Sequence, residues 1–239
     1  GKRNAPGIFN LAFRDKFFWD GGVIHVDFIA VNAIEATFEM DNDVSVVLER
    51  LRADAGYREQ FSAVFGGDTI NSGRLLHALS QYLVSLVSAN SPYDQYRYAN
   101  GTLSDAQLRG LSLFEEHCSS CHSGPLFTNQ GFANNGLDSS FVRDEGRAII
   151  TERTDDQGKF LIPSLRNVAV TAPYMHDGRL ATLEEVMDHY AQGVMPSATL
   201  APALQQGPQP GLALSAAGRS GLVAFLESLA GTDFVEGPK

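Results

Sequence analysis

The spacing of apolar side chains along the chain predicts a helical protein. Residues 43–65 and 72–88 place apolar side chains three or four positions apart, which is the period of one helix face. Clear alternation of apolar and polar residues, the mark of a half-buried strand, is missing. We therefore expect an all-α fold. The apolar faces of these two segments consist of Val44, Val47, Leu48, Leu51, Tyr57, Phe61, Phe65, Leu75, Leu76, Leu79, Leu83, Leu86 and Val87.

Two capping boxes predict further helices. Ser104 with Gln107, and Thr182 with Glu185, have the spacing at which two side chains satisfy the first amides of a helix. The first of these helices brings the chain to Cys118. The apolar face of the second consists of Leu183, Val186, Met187 and Tyr190.

Long segments without periodicity separate the helices. A last helix begins near Ser215 and has Gly231 as its expected C-cap. Loops this long are unusual in a compact domain unless they fold around something, and a large cofactor would explain them. The composition of residues 89–102, rich in Asn, Pro, Tyr and Gly, predicts an interdomain connection. The irregular segments are 1–42, 89–102, 123–181 and 193–213.

Composition excludes some classes of function. The 239 residues include 18 Lys and Arg against 28 Asp and Glu, for a formal net charge of −10. This balance argues against nucleic-acid binding, which needs clustered cations. No run approaches the ~18 apolar residues of a membrane helix. The length and the 44% share of hydrophobic residues fit one or two domains with a real core.

The stretch "HCSSCH" at 117–122 contains both cysteines of the chain. A thiol-disulfide exchange site normally opens a helix within a βαβ unit, which this chain lacks. A structural zinc site needs a second ligand pair, and none recurs. Two thiols three positions apart can each bond one vinyl group of a porphyrin, with the next histidine on the iron. The motif therefore favours haem c on Cys118 and Cys121, with His122 as proximal ligand and His117 facing solvent.

Several stretches resemble the bacterial di-haem cytochrome c peroxidase family, which includes the di-haem enzyme that oxidises a partner protein to form tryptophan tryptophylquinone. The resemblance implies cytochrome c-like domains with long loops wrapped around covalently bound haem. It implies that 1–95 is the remainder of an N-terminal peroxidatic domain and that 96–239 is a C-terminal haem domain. The matching stretches are "GKRNAPGIFN", "FFWDGG", "FEM", "LVSANSPYDQY", "LRGLSLFEEHCSSCHSGPLFT", "FLIPSLRNVAVTAPYMHDGRLATLEEVMDHY" and "LVAFLESLAG".

Family members carry two CxxCH motifs, and this chain contains one. We therefore expect one haem c in this chain, two in the complete protein, and a first motif upstream of residue 1. The resemblance implies that Glu39, in "FEM", is the acid–base group over the peroxide-binding haem. It implies that Trp19 relays electrons between the haems. The family usually has Gln where this chain has Ile29, which weakens the distal polar network.

The resemblance also implies a calcium site and a haem contact. Asn4, Thr171 and Pro173 match an interdomain calcium site, to which the last two would donate backbone carbonyls. Arg166 in "PSLRN" would lie on a loop facing the haem. Its guanidinium could pair with a haem propionate or form a structural salt bridge.

The second axial ligand of the haem is expected fourteen residues after the histidine of "HDG". From His176 this count reaches Tyr190. By the resemblance, peroxidases proper have Met at this position and the tryptophylquinone-forming branch has Tyr. Met187, one turn away on the same face, is the main alternative, with Met175 and Met195 as further ones. A phenolate stabilises ferric iron, whereas a thioether raises the reduction potential.

The resemblance implies an enzyme that reduces hydrogen peroxide with electrons passed through the C-terminal haem. The donor would be a small cytochrome c or a blue-copper protein. Two alternatives stay open: a tryptophylquinone-forming type of oxidase with a protein substrate, and a one-haem electron carrier. We expect a periplasmic location, because bacteria attach haem c outside the cytoplasmic membrane, and a homodimer, as is common in the family.

Overall fold

A computed structural model describes residues 1–231, and the regular secondary structure of these residues is almost entirely helical. The only strands among them are β1 (Phe132–Ala133) and β2 (Phe160–Leu161), which pair antiparallel. The longest described helix has 14 residues, fewer than the ~20 that span a bilayer. The α-helices are α1 (Ile29–Glu35), α2 (Val44–Ala53), α3 (Ala55–Phe65), α4 (Ser72–Ser85), α5 (Pro92–Tyr98), α6 (Asp105–His117), α7 (Ala148–Thr151), α8 (Leu183–Asp188) and α9 (Ala216–Glu227).

The chain forms two compact units. The first consists of Gly1, Ile8–Phe17 and Val23–Val87, and it contains α1 to α4 around a small core of Leu48, Phe61, Ile70 and Leu75. The second consists of Lys2–Gly7, Phe18–Gly22 and the chain from Ser88 onward. It contains α5 to α9 and the two strands.

The core of the second unit lies where α6 crosses α9. The backbones meet at Gly110 and Gly221, where a Cβ built on Gly110 would lie 1.9 Å from the carbonyl oxygen of Gly221. This close approach packs Phe114 of α6 against Phe225 of α9, with ring centroids 5.0 Å apart. The crossing fixes the end of α6, and therefore the start of the cysteine motif.

The capping boxes at Ser104 and Thr182 are both present and begin α6 and α8, as predicted. Residues 43–65 do not form one helix, because Asp54 ends α2 and its carboxylate caps the first amides of α3. The expected C-cap at Gly231 is also wrong. Helix α9 ends at Glu227 with Ser228 as its C-cap, and the Gly231 N–H donates instead to Asn167 Oδ1 at 2.7 Å.

The segment 89–102 contains a helix that composition alone did not indicate. Ser91 caps α5, with Pro92 in the first turn and the Asp94 carboxylate accepting from the Ser91 amide and hydroxyl. Proline is well tolerated in the first turn of a helix, where its missing N–H has no intrahelical partner. The proline that contributed to the prediction of an irregular connection therefore lies in the first turn of a helix.

Candidate haem site

The cysteine motif forms a tight turn at the end of α6. The Cys118 N–H continues the helix by donating to the Phe114 carbonyl at 2.8 Å, and the Cys121 and His122 amides both donate to the Cys118 carbonyl. Both thiols are free and both line one cavity. Burial, reinforced by the nearby Cys121, raises the pKa of the Cys118 thiol to about 12. The Cys118 thiol is therefore neutral, and it lies beside the Cys121 thiol on the same cavity.

The His122 ring is oriented by the loop that follows it. Its Nδ1 lies 3.0 Å from the Phe127 carbonyl oxygen. A carbonyl can only accept, so this hydrogen bond places the ring proton on Nδ1 and leaves the Nε2 lone pair free. Burial lowers the pKa of His122, against the opposing influence of the Phe127 and Pro163 carbonyls. The ring is therefore neutral, as a metal ligand must be.

A largely apolar cavity of about 1320 Å³, including its open mouth, lies in front of these three residues. Cofactor pockets are typically lined by apolar side chains with a few polar groups that fix the ligand, and the lining of this cavity has that character. Apolar walls, two free thiols and one imidazole nitrogen are the groups that a haem c needs, and the residues present fit it. The apolar walls include Phe114, Leu161, Ile162, Leu165, Val168, Leu183, Val186, Leu212, Leu214, Leu222 and Leu226.

Tyr190 lines this cavity from a π-helical turn. Helix α8 ends at Asp188, and residues His189–Gly193 continue it with the wider π-helical winding, which often marks a functional site. Burial, with a smaller contribution from the two cysteines, raises the pKa of Tyr190 to about 12 against the opposing influence of Asn135. Met187 is buried and also lines the cavity.

The other two candidate methionine ligands lie at different places. Met175 lines the cavity, whereas Met195 is exposed and lies outside it. His117 was expected to face solvent, but it lines the cavity, with 23% of its side chain exposed. Its position in the last turn of α6 brings it there together with Cys118.

Trp19 lines the cavity and is tied to residues from distant parts of the sequence. Its indole N–H donates to the Asn4 carbonyl at 2.8 Å, and its own carbonyl accepts the Leu161 N–H at 2.7 Å. The Asn4 side-chain amide lies 2.6 Å from the Pro173 carbonyl oxygen. Thr171 lies two residues before Pro173, and its hydroxyl donates to the Val168 carbonyl.

Arg166 makes the salt bridge rather than a contact with the cavity. Its guanidinium binds the Asp94 carboxylate through two hydrogen bonds of 2.7 and 2.8 Å, and Nε donates to the Pro125 carbonyl. Burial would raise the pKa of Asp94, but the hydrogen bonds from Arg166 and Ser91 outweigh it and lower that pKa to about 2. Both side chains are about 5% exposed, so the ion pair is buried. The structure gives no support to a propionate contact.

Glu39 lies in the first unit, on an exposed turn that follows α1. Its amide donates to the Ala36 carbonyl at 3.0 Å. Ile29 is half-buried at the start of α1. The proton-transfer role of Glu39 therefore stays a prediction from the resemblance.

Two cavity residues, Asn135 and Phe160, were not found from the sequence. Phe160, in β2, stacks on the His176 ring with centroids 3.7 Å apart and an angle of 14° between the planes. Asn135 follows β1 in an irregular segment that carries no motif. Their places depend on contacts between distant segments, and no local signal in the sequence reveals such contacts.

Sequence identity to curated relatives shows to which family this chain belongs. The methylamine utilization protein MauG of Methylophilus methylotrophus is 32% identical over 96% of this chain and 68% of its own length. The cytochrome-c peroxidase IdrP1 of Pseudomonas sp. (strain SCT) is also 32% identical, over 95% of this chain and 68% of its own length. This chain belongs to the di-haem cytochrome c peroxidase family. The family model, described as di-haem cytochrome c peroxidase, matches residues 1–102.

Solved structures of similar proteins agree with this membership of the di-haem cytochrome c peroxidase family. A MauG-like protein associated with microbial copper homeostasis superposes with a TM-score of 0.87 at 29% identity, over 100% of this chain and 78% of that one. The di-haem peroxidase BthA from Burkholderia thailandensis has a TM-score of 0.82 at 20% identity, over 98% of this chain and 73% of that one, which shows the fold alone. The chain spans about two thirds of the length of the two curated relatives.

Proposed function

We propose that this chain belongs to a peroxide-dependent oxidoreductase and passes electrons through a haem c in its C-terminal part. It holds one haem c through Cys118 and Cys121, with His122 as proximal ligand, and the complete protein has a second haem c at which hydrogen peroxide is reduced. The observation that carries the proposal is that both free thiols and the His122 ring face one apolar cavity. Haem supplies one-electron oxidation and reduction when bound.

The surrounding residues prepare the site for a haem. The Phe127 carbonyl holds the His122 proton on Nδ1, so that Nε2 is available and the ring cannot rotate without losing a hydrogen bond. The apolar walls exclude water, and Trp19 lies on the same cavity, where an indole can relay an electron. Calcium held by Asn4 and the carbonyls of Thr171 and Pro173 would fix the segment that carries Trp19.

Tyr190 is our choice for the second axial ligand, because it faces the cavity from a π-helical turn. Met187 is the alternative. A Tyr ligand also supports a second function, the oxidation of a partner protein, because a phenolate favours higher oxidation states of iron than a thioether does. Under the first function the electron donor is a small cytochrome c or a blue-copper protein, and the protein acts in the periplasm.

Peroxide turnover by the full-length protein tests the first function. We expect two haems per chain and steady peroxide consumption with a reduced small cytochrome c or blue-copper protein. Glu39→Gln should slow turnover by about 100-fold or more, as the loss of a general acid–base group does. Glu35→Gln changes another exposed glutamate nearby and should have no effect.

The outcomes separate the functions. Equal rates in the Glu39 and Glu35 variants would remove the acid–base role of Glu39. Two haems with slow turnover of small donors, but peroxide-dependent oxidation of a partner protein, would favour the second function. A single haem without peroxide turnover would leave only an electron carrier.

A further inference from the structure

Asn135 contacts two of the segments that offer a second axial ligand, the one with Met175 and the one with Tyr190. It lies two residues after the end of β1, and its backbone carbonyl oxygen lies 3.0 Å from Nε2 of His189. Since the carbonyl can only accept, His189 carries its proton on Nε2 and donates it. His189 opens the π-helical turn and is followed at once by Tyr190. One hydrogen bond therefore fixes the turn that presents Tyr190.

The side chain of Asn135 lies between two candidate ligands. Its Nδ2 donates to the Met175 sulfur at 3.2 Å. The same side chain interacts with the Tyr190 hydroxyl, where it lowers the pKa of the phenol against the effect of burial. A primary amide has two N–H groups, so both contacts can exist together. Oδ1 accepts the Leu137 N–H at 3.2 Å, which fixes the orientation of the amide.

Met175 has an unusual backbone that keeps its side chain in place. Its φ angle is 72°, in the left-handed backbone region that residues other than glycine rarely adopt. Such a conformation persists only where the surroundings hold it. The Tyr174 amide donates to the Leu180 carbonyl and the Gly178 amide to the Met175 carbonyl, which closes the turn. The sulfur is then directed to Asn135 and uses a lone pair there.

We propose that Asn135 is a positioning residue that selects Tyr190 over Met175 as the second axial ligand. One N–H engages the thioether, which would otherwise compete for the metal, and the other orients the phenol oxygen. The carbonyl of the same residue holds the turn that carries Tyr190. This inference rests on the proposed haem site. Because a single neutral hydrogen bond is weak, we expect it to shift the ligand equilibrium by up to about tenfold.

The identity of the second axial ligand in the haem-loaded protein tests this inference directly. Wild type should show the tyrosinate bands of ferric haem by resonance Raman spectroscopy. Asn135→Ala should weaken these bands, gain the red absorption band of methionine-ligated ferric haem, and raise the reduction potential. Adding Met175→Leu to that variant should remove the new band, whereas adding Met187→Leu should not. Asn135→Ser keeps a donor and should stay closer to wild type.

The other possible results would each overturn a stated part of the inference. An Asn135→Ala protein with wild-type bands and potential would overturn the selection by Asn135 and leave the haem site intact. A new methionine band that vanishes with Met187→Leu would also overturn it. If Asn135→Ala fails to fold, Asn135→Ser and the Met175→Leu single variant carry the test. Met175→Leu must keep the tyrosinate bands, and their loss would contradict the inference. A wild type without bound haem would overturn the proposed function itself.

Discussion

His122 and Phe127 are joined by a hydrogen bond of 3.0 Å between Nδ1 and the backbone carbonyl oxygen. The bond closes the loop that follows the cysteine motif and selects the tautomer with a free Nε2. Metal-ligating histidines are generally held in orientation by a hydrogen bond from the ring nitrogen that does not bind the metal. The chain thus sets the direction of the ring through its backbone, without another side chain.

Removing the His122 ring should separate covalent attachment from ligation. His122→Gly should keep haem bonded to both cysteines but lose the low-spin absorption spectrum, and added imidazole should restore that spectrum. His117→Ala changes a neighbouring histidine on the same cavity and should keep the wild-type spectrum. A His122→Gly protein with an unchanged spectrum would show that another residue is the proximal ligand.

The buried pair of Asp94 and Arg166 should dominate the acid sensitivity of the second unit. The pKa of Asp94 is about 2, below its usual 3.8, so the stabilisation is complete above about pH 4 and is lost as the pH falls towards 2. This loss should reach about 2 kcal/mol.

Asp94→Asn should leave Arg166 as an uncompensated buried charge and lower the free energy of unfolding by about 3–5 kcal/mol at pH 7. Urea denaturation measures the change. Asp155→Asn, in a side chain that is 80% exposed, is the control and should change stability by less than about 0.5 kcal/mol. Equal effects of the two variants would contradict the structural role of the buried pair.

The crossing of α6 and α9 should tolerate a methyl group on one side only. A Cβ on Gly110 would lie 1.9 Å from the Gly221 carbonyl oxygen, whereas a Cβ on Gly221 has its nearest contact at 3.4 Å. Gly110→Ala should therefore lower the free energy of unfolding by about 3 kcal/mol or more. Gly221→Ala should change it by less than about 1 kcal/mol, since alanine favours a helix. Similar losses in both variants would contradict this geometry.

Calcium should stabilise the protein through Asn4. Wild type should gain thermal stability when calcium is added, by about 2.7 kcal/mol at a concentration one hundred times the dissociation constant. Asn4→Ala removes the side-chain oxygen and should lose most of this gain. Thermal denaturation with calcium or a chelator measures the gain in stability. An equal gain in wild type and Asn4→Ala would show that calcium binds elsewhere.

Local chemistry in the sequence predicted part of this structure. The capping boxes at Ser104 and Thr182 succeed because they depend on side chains within one helical turn. The break at Asp54 was missed because the apolar period continues across it, although aspartate is a common N-cap. The resemblance, rather than periodicity, pointed to Tyr190.

The contacts that shape the cavity could not be predicted in this way. The π-helical turn at His189–Gly193 is tied to the Asn135 carbonyl, 54 residues away in sequence. The Arg166 pair joins positions 72 residues apart. Such contacts depend on where whole segments pack, and a local pattern of residues does not encode them.

The intact mass of the denatured chain tests the central claim most directly. The chain would be produced with a bacterial cytochrome c maturation system, denatured and extracted with acid acetone before mass spectrometry. We predict a coloured polypeptide heavier by one haem, and an unmodified mass for the variant with Cys118→Ala and Cys121→Ala. A colourless wild-type chain with the mass of the bare polypeptide would contradict the account.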